Sequence, residues 1–293
     1  MFPRTGFVLF FLLLVAFSVF LHPAYARTFS NYESAVFLAK LTEVKVETDQ
    51  IASHVGNQDA INYYQTILKT YWTPNDTRDL AERNPQIAQE ISSDINATIS
   101  DARAGSANKA GSDFFDIAGS LEQAAVLRVD PIPYHDATVQ AMSIAMVVRE
   151  SLQRYGDAVG SPGLGADTSN PGPVAAGGSQ PGTVRIVNQY AYDNSKELAN
   201  EGLQMFGQLI THSPHPAYDD KIAAAMDKYL ADLGNSADAG TVLSDVYTGI
   251  YPNFASGYGI SIQSVPEFPV PSAVILVLVS ATILITRVWM KRP

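Results

Sequence analysis

The densest set of potential metal ligands in this chain is one nine-residue segment, His212-Ser-Pro-His215-Pro-Ala-Tyr-Asp219-Asp220. It combines two imidazoles with two carboxylates, ligand types that suit zinc, copper or iron. Prolines on both sides of the second histidine prevent a helix from running through the pair, so the helical two-histidine geometry of metalloproteases is absent. His212, His215, Asp219 and Asp220 are therefore candidate ligands of a transition metal. The structural alternative is a loop in which Pro216 opens a helix with acids in its first turn.

Other histidines and acids offer weaker possibilities. His54 follows Glu47 by seven residues on one side of the first predicted helix, and His135 is a further remote partner for a metal. A histidine in the last turn of a helix also complements the helix dipole. Glu43 and Glu47 alternate with lysines, which predicts a solvated face with ordinary ion pairs. The paired Glu-x-x-His motifs of di-iron bundles are missing.

No catalytic motif is recognisable in the sequence. The chain has no cysteine, which excludes thiolate catalysis, iron–sulfur clusters and cysteine-ligated zinc. It also lacks Gly-x-Ser-x-Gly and a strand that could carry a nucleophile turn. We therefore expect a protein that is not an enzyme.

The body of the chain is predicted to be helical on both sides of a linker. Residues 160–183 contain fourteen Gly, Pro or Ser among 24, with Asp167 as the single charge, which is typical of a flexible linker. It separates a helical region at 27–159 from another at 184–264. The second region is small for an independent domain, so we expect the two to pack together as an all-α, multi-helix bundle.

Apolar residues at three-to-four spacing and capping signals place the individual helices. They predict helices over 29–55, about 58–72, 85–103 after the Asn84 cap, and 113–128 after a Ser112 cap. A further helix is predicted where apolar residues repeat along one face from Val139 to Val159. After the linker they predict a helix of about 28 residues, one that stops at Gly234, and a short one at about 237–250.

The N-terminus has the layout of a cleaved secretory signal. Arg4 precedes the apolar stretch Gly6 to Leu21, and Ala24-Tyr25-Ala26 supplies a small residue on each side of Tyr25. We expect residues 1–26 to be a signal peptide and the mature chain to start at Arg27, with an uncleaved anchor as the alternative.

A second apolar segment, residues 272–286, lies near the C-terminus. A helix of this length spans about 22 Å, which is short for a hydrocarbon core of ~30 Å. Arg287, Lys291 and Arg292 mark its cytoplasmic end. Residues 265–293 are therefore predicted to form a transmembrane helix that holds the body on the outer side of the membrane.

Pro266-Glu267-Phe268-Pro269, the short apolar span and the terminal basic cluster together resemble the PEF-type C-terminal sorting signals of archaeal surface proteins. The resemblance covers about 28 residues and leaves the body unassigned. It implies that an archaeosortase-type membrane transpeptidase recognises Pro266, Glu267, Phe268 and Pro269 and exchanges the tail for a lipid. A related variant has Gly where this chain has Pro269, which leaves the subfamily open. An ordinary single-span anchor is the alternative.

Charge limits the class of partner. Residues 27–265 carry 28 acidic and 15 basic side chains, a net charge of −13, so binding to nucleic acid is not expected. The sequence predicts an exported protein on the extracellular side of the cell membrane, anchored by its C-terminus, with a binding or structural role. The alternative is a metal-binding body that supports uptake of iron or copper.

Overall fold

The computed structural model describes residues 29–129, 134–165 and 184–261, and the regular structure in these ranges is helical, without a strand. The predicted all-α class is confirmed. In chain order the helices are α1 Asn31–Ser53, α2 Gln58–Tyr71, α3 Pro74–Ala81, α4 Pro85–Arg103, α5 Ala107–Arg128, α6 Ala137–Ala158, α7 Gln189–His212, α8 Pro216–Gly234, α9 Ala239–Ser244, a π-helical segment Asp245–Ile250, and α10 Tyr251–Tyr258.

The predicted signal peptide, sorting signal and transmembrane helix lie outside the described residues. Within the described ranges, the helices are too short or too polar to cross a membrane.

Side-chain caps set most helix starts. Ser30 and Glu33 form a reciprocal capping box at the start of α1, and Asn84 accepts hydrogen bonds from two backbone N–H groups of α4. A second capping box, between Thr73 and Asp76, opens α3. This short helix, Pro74–Ala81, was not predicted from the sequence.

Two predicted helix boundaries are wrong. α5 begins at Ala107, so Ser112 lies inside this helix and does not cap it. The last helical stretch continues to Tyr258 instead of ending near 250. Pro252 has no N–H to donate, and just before it the chain widens into the π-helical segment, where the Tyr251 N–H bonds to the Val246 carbonyl. Because of this wider turn, the chain remains helical on both sides of Pro252.

The helices before and after the predicted linker share one hydrophobic core. α6 and α7 form the most extensive helix pair, and α1 packs against α2, α4, α5, α6 and α7. Gly202 allows α7 to approach closely, since a Cβ there would lie 3.3 Å from Val148 of α6. α1 and α6 are thus the central helices of the bundle.

The first residues of the predicted linker belong to this folded body. Leu164 is buried. Gly165, at φ +77°, lies against Leu152: a Cβ added to Gly165 would be 2.7 Å from the Cδ2 of Leu152. The Tyr247 hydroxyl donates to the Gly165 carbonyl at 3.2 Å. Residues 166–183 lie outside the described residues.

The contact between Gly156, near the end of α6, and the turn that follows provides a test of this packing. In Gly156→Ala the new Cβ would lie 2.6 Å from both Leu164 Cβ and the Ser161 carbonyl oxygen. We expect a loss of about 1–3 kcal/mol in the free energy of unfolding, measured by urea denaturation of the full-length chain in detergent. Gly119→Ala is the matched control, because a Cβ there meets nothing within 4 Å. It should stabilise by about 1 kcal/mol. Equal effects of the two substitutions would contradict the packing described.

Candidate functional site

The four candidate metal ligands lie at the connection between α7 and α8. His212 ends α7 and is exposed, as are His215 and Asp220. Asp219 is buried: its Oδ2 accepts the His215 backbone N–H at 2.6 Å, and its Oδ1 accepts the Tyr258 hydroxyl at 2.7 Å. The His215 ring also packs edge-on against Tyr258, with centroids 4.7 Å apart.

Both oxygens of Asp219 therefore serve to close the α7–α8 connection onto α10. Pro216 is the first residue of α8 and Asp219 lies in its first turn, as the structural alternative requires. Across the part of the chain that the structure describes, no three His, Asp or Glu side chains are arranged to hold a metal ion. The metal assignment of His212, His215, Asp219 and Asp220 stays a prediction.

The remote histidines have local partners. His54 caps the C-terminus of α1, with Nδ1 2.8 Å from the Gln50 carbonyl oxygen, and its ring packs against Tyr64 and Tyr190. His135 is exposed and packs against the neighbouring Tyr134.

A different group of polar side chains lies at the centre of the bundle. The prediction of a solvated face for Glu43 and Glu47 is wrong, because both side chains are 0% exposed. The neighbouring lysines instead turn outward, Lys40 to Asp76 at 2.9 Å and Lys45 to Glu201 at 2.7 Å. We refer to the central group as the buried acid cluster, and its members come from four helices: Glu43 and Glu47 of α1, Tyr71 of α2, Glu150 and Arg154 of α6, and Asn194 of α7.

Helical spacing brings the charged members together. Glu43 and Glu47 are four residues apart on α1, and Glu150 and Arg154 are four apart on α6, so each pair shares one face of its helix. Because α1 packs directly on α6, the two faces meet inside the bundle.

Glu150 has well-defined partners. Its Oε2 accepts the Tyr71 hydroxyl at 2.6 Å and lies 3.8 Å from a terminal nitrogen of Arg154. The same guanidinium donates to the Tyr71 oxygen at 2.9 Å. The Tyr71 hydroxyl therefore bridges the Arg154 guanidinium and the Glu150 carboxylate through two hydrogen bonds.

The two glutamates of α1 are less well satisfied. Glu47 Oε1 accepts the Asn194 side-chain amide at 2.8 Å. Among the described residues, Glu47 Oε2 and both carboxyl oxygens of Glu43 have no hydrogen-bond partner. Each such buried polar group costs about 1–3 kcal/mol when nothing replaces its lost contact with water.

Burial dominates the electrostatics of both groups. It raises the pKa of Glu47 to about 8, although Arg154 and the Asn194 hydrogen bond oppose this rise. Burial and the nearby Glu150 raise the pKa of Glu43 well above its usual range, and Arg154 again opposes. Burial disfavours the charged form of Arg154, but Tyr71, Glu150, Glu43 and Glu47 outweigh it and raise the pKa of Arg154.

Aromatic side chains lead from the cluster towards the surface. Tyr63 is half-buried, and its ring packs against Tyr64 and Tyr190, with centroids 5.2 and 5.8 Å away. Burial, opposed by Arg154 and assisted by Glu47, raises the pKa of Tyr63 to about 12. Since the side chain of Arg154 is itself 14% exposed, the cluster reaches solvent at this edge.

The arrangement can hold charge and protons, and its geometry resembles neither a nucleophile with a base nor a metal centre. No family model, curated protein or solved structure matches the chain. Function has to be argued from the residues themselves.

The guanidinium provides a test of the cluster. Arg154→Met removes the only cation that acts strongly on Glu43 and Glu47 among the described residues. It leaves Glu150 buried without its charge partner, so we expect a loss of about 3–5 kcal/mol in the free energy of unfolding at pH 7. Arg78→Met is the control: Arg78 is mostly exposed, 4.0 Å from Asp79, and its loss should change stability by less than about 1 kcal/mol. Similar small losses in both variants would show that the cluster does not depend on Arg154.

Proposed function

We propose that this chain is a non-enzymatic protein of the outer cell surface, held at the membrane by its C-terminus, whose helical body has a binding or structural role. The observation that carries the proposal is the position of the helices relative to the two predicted processing points. The first described helix begins at Asn31 and the last ends at Tyr258. Cleavage after Ala26 and near Pro266 would leave all of these helices intact.

The composition supports the same role. A net charge of −13 over residues 27–265 keeps a body of this kind soluble outside the membrane and makes nucleic acid an unfavourable partner. The proposed partners are the membrane, an archaeosortase-type processing enzyme, and a protein or surface outside the cell.

Metal uptake finds less support. It relies on the segment from His212 to Asp220, and Asp219 already uses both carboxyl oxygens to bind His215 and Tyr258. A metal ion bound to Asp219 would have to share these oxygens with the two hydrogen bonds. Metal analysis of protein purified from its native membrane distinguishes the two roles.

The fate of the C-terminus tests the surface anchoring. If the tail is a sorting signal, the mature protein should lack residues after about Pro266–Pro269 and carry a lipid, because ordinary single-span anchors are more often about 20 apolar residues long. Intact-mass spectrometry of native, membrane-extracted protein measures this directly. A dominant species that retains residues 287–293 would reject processing and leave a single-span anchor.

Substitution of the motif gives the matched comparison. Replacing Glu267 and Phe268 by Ala should leave an unprocessed precursor, whereas Ser264→Ala, just before the motif, should leave processing unchanged. Normal processing of the double variant would show that the Pro-Glu-Phe-Pro sequence is not recognised.

A further inference from the structure

The buried acid cluster contains more negative than positive groups. Three carboxyl groups, those of Glu43, Glu47 and Glu150, face the single guanidinium of Arg154. If all four groups were ionised, the interior would carry a net charge of −2. A protein interior does not hold uncompensated charge; the groups neutralise instead by taking up protons or by binding counter-ions.

The hydrogen bonds show which carboxyl groups are left without compensation. Arg154 and Tyr71 both engage Glu150, as described above. From the described part of the chain, Glu47 receives one amide N–H and Glu43 receives none. Four acceptor atoms in the cluster are buried without a donor among these residues: both carboxyl oxygens of Glu43, Glu47 Oε2 and Asn194 Oδ1. The site therefore needs hydrogen-bond donors, and a proton on a carboxyl group supplies one while it removes a charge.

We propose that the buried acid cluster is a proton-binding site, in which Glu43 and Glu47 each hold a proton in the folded bundle. Loss of these protons places uncompensated charge on α1 and weakens its packing against α6 and α7. The bundle is thereby most stable in an acidic medium and becomes less stable as the pH of the medium rises.

The groups that face the two glutamates come from each neighbouring part of the bundle. α2 presents the hydroxyls of Tyr71, Tyr63 and Tyr64, α6 presents Glu150 and Arg154, and α7 presents the neutral amide of Asn194. On α5, Arg128 packs instead over the rings of Phe29 and Phe37, more than a helical turn before Glu43. On α4, Asp94 lies near Glu90 and Asp116 of α5. Arg154 is thus the cation that faces both glutamates within the described ranges.

The direction of the pH effect follows from proton linkage. In the unfolded chain a glutamate loses its proton near its ordinary pKa of 4.5, whereas Glu47 in the fold keeps it up to about pH 8. Between these two values the folded state binds the extra proton, so the unfolding constant should rise about tenfold per pH unit for each such group. The contribution of such a carboxyl group to stability is fully present below about pH 4.5, the pKa in the unfolded chain, and is lost as the pH rises through the pKa in the folded state.

The test compares urea denaturation of the full-length chain in nonionic detergent from pH 5 to pH 9. A glutamine imitates the protonated acid, so the double variant Glu43→Gln, Glu47→Gln should be close to the wild type at pH 5. At pH 8 its unfolding constant should be at least a hundredfold smaller than that of the wild type. Glu122→Gln, on the exposed face of α5, is the control and should follow the wild-type profile. Parallel profiles for the double variant and the wild type would overturn the proposal.

A measurement on the wild type keeps the proposal testable if the double variant fails to fold. Potentiometric titration at pH 7 should show that the folded wild type binds more protons than the chain unfolded in urea. Where Glu43→Gln or Glu47→Gln folds, this difference should be about one proton smaller, because each substitution removes one of the two sites. A difference of zero or opposite sign in the wild type would reject the site. Neutralisation by a cation is the competing outcome. If sodium, potassium, magnesium or calcium chloride stabilises the wild type at pH 8 more than choline chloride of equal ionic strength, and the glutamine variants lose this difference, the cluster binds that cation and the proposal is overturned.

Discussion

The central constraint on this fold is that α1 and α6 are enclosed by other helices. Ten consecutive residues of α6, from 143 to 152, are buried, and α1 buries side chains on every side of the helix between Ala35 and Ile51. A polar residue on an enclosed side of such a helix can lie only against another helix. Glu43, Glu47 and Glu150 must therefore find their partners inside the bundle.

The buried acid cluster meets this constraint at a cost in stability. Replacing a buried ion pair by well-packed apolar residues is often neutral or stabilising, so the cluster is not explained by stability alone. Its hydrogen bonds do link α2 to α6 through Tyr71 and Glu150, and α1 to α7 through Glu47 and Asn194. An apolar contact could accept several rotations of α1, whereas the directional Glu47–Asn194 hydrogen bond restricts its rotation against α7. We infer that this hydrogen bond helps to fix the rotational setting of α1.

The sequence predicted the helices better than it predicted the site, for physical reasons. Caps such as Asn84 act within one turn and can be recognised locally, so α4 was predicted with its observed bounds. The burial of Glu43 and Glu47 depends on helices far along the chain, and the lysines beside them suggested solvent. A signal was present: apolar residues at 35–39, 41, 44, 46 and 51 cover all sides of α1, a pattern of a buried helix. The same pattern in α6 would have placed Glu150 and Arg154 inside as well.

The position of the cluster also links the interior to the proposed location of the protein. A body held outside the cell meets the pH of the external medium, which the cell does not buffer. Tyr63 and the partly exposed Arg154 form the edge at which the cluster approaches that medium. Protons that exchange there would act on α1, which touches α2, α4, α5, α6 and α7 and so affects most of the bundle. A change in two protons at the centre can therefore alter the packing of the whole body, whereas the same change on a surface carboxylate would be screened by water and salt.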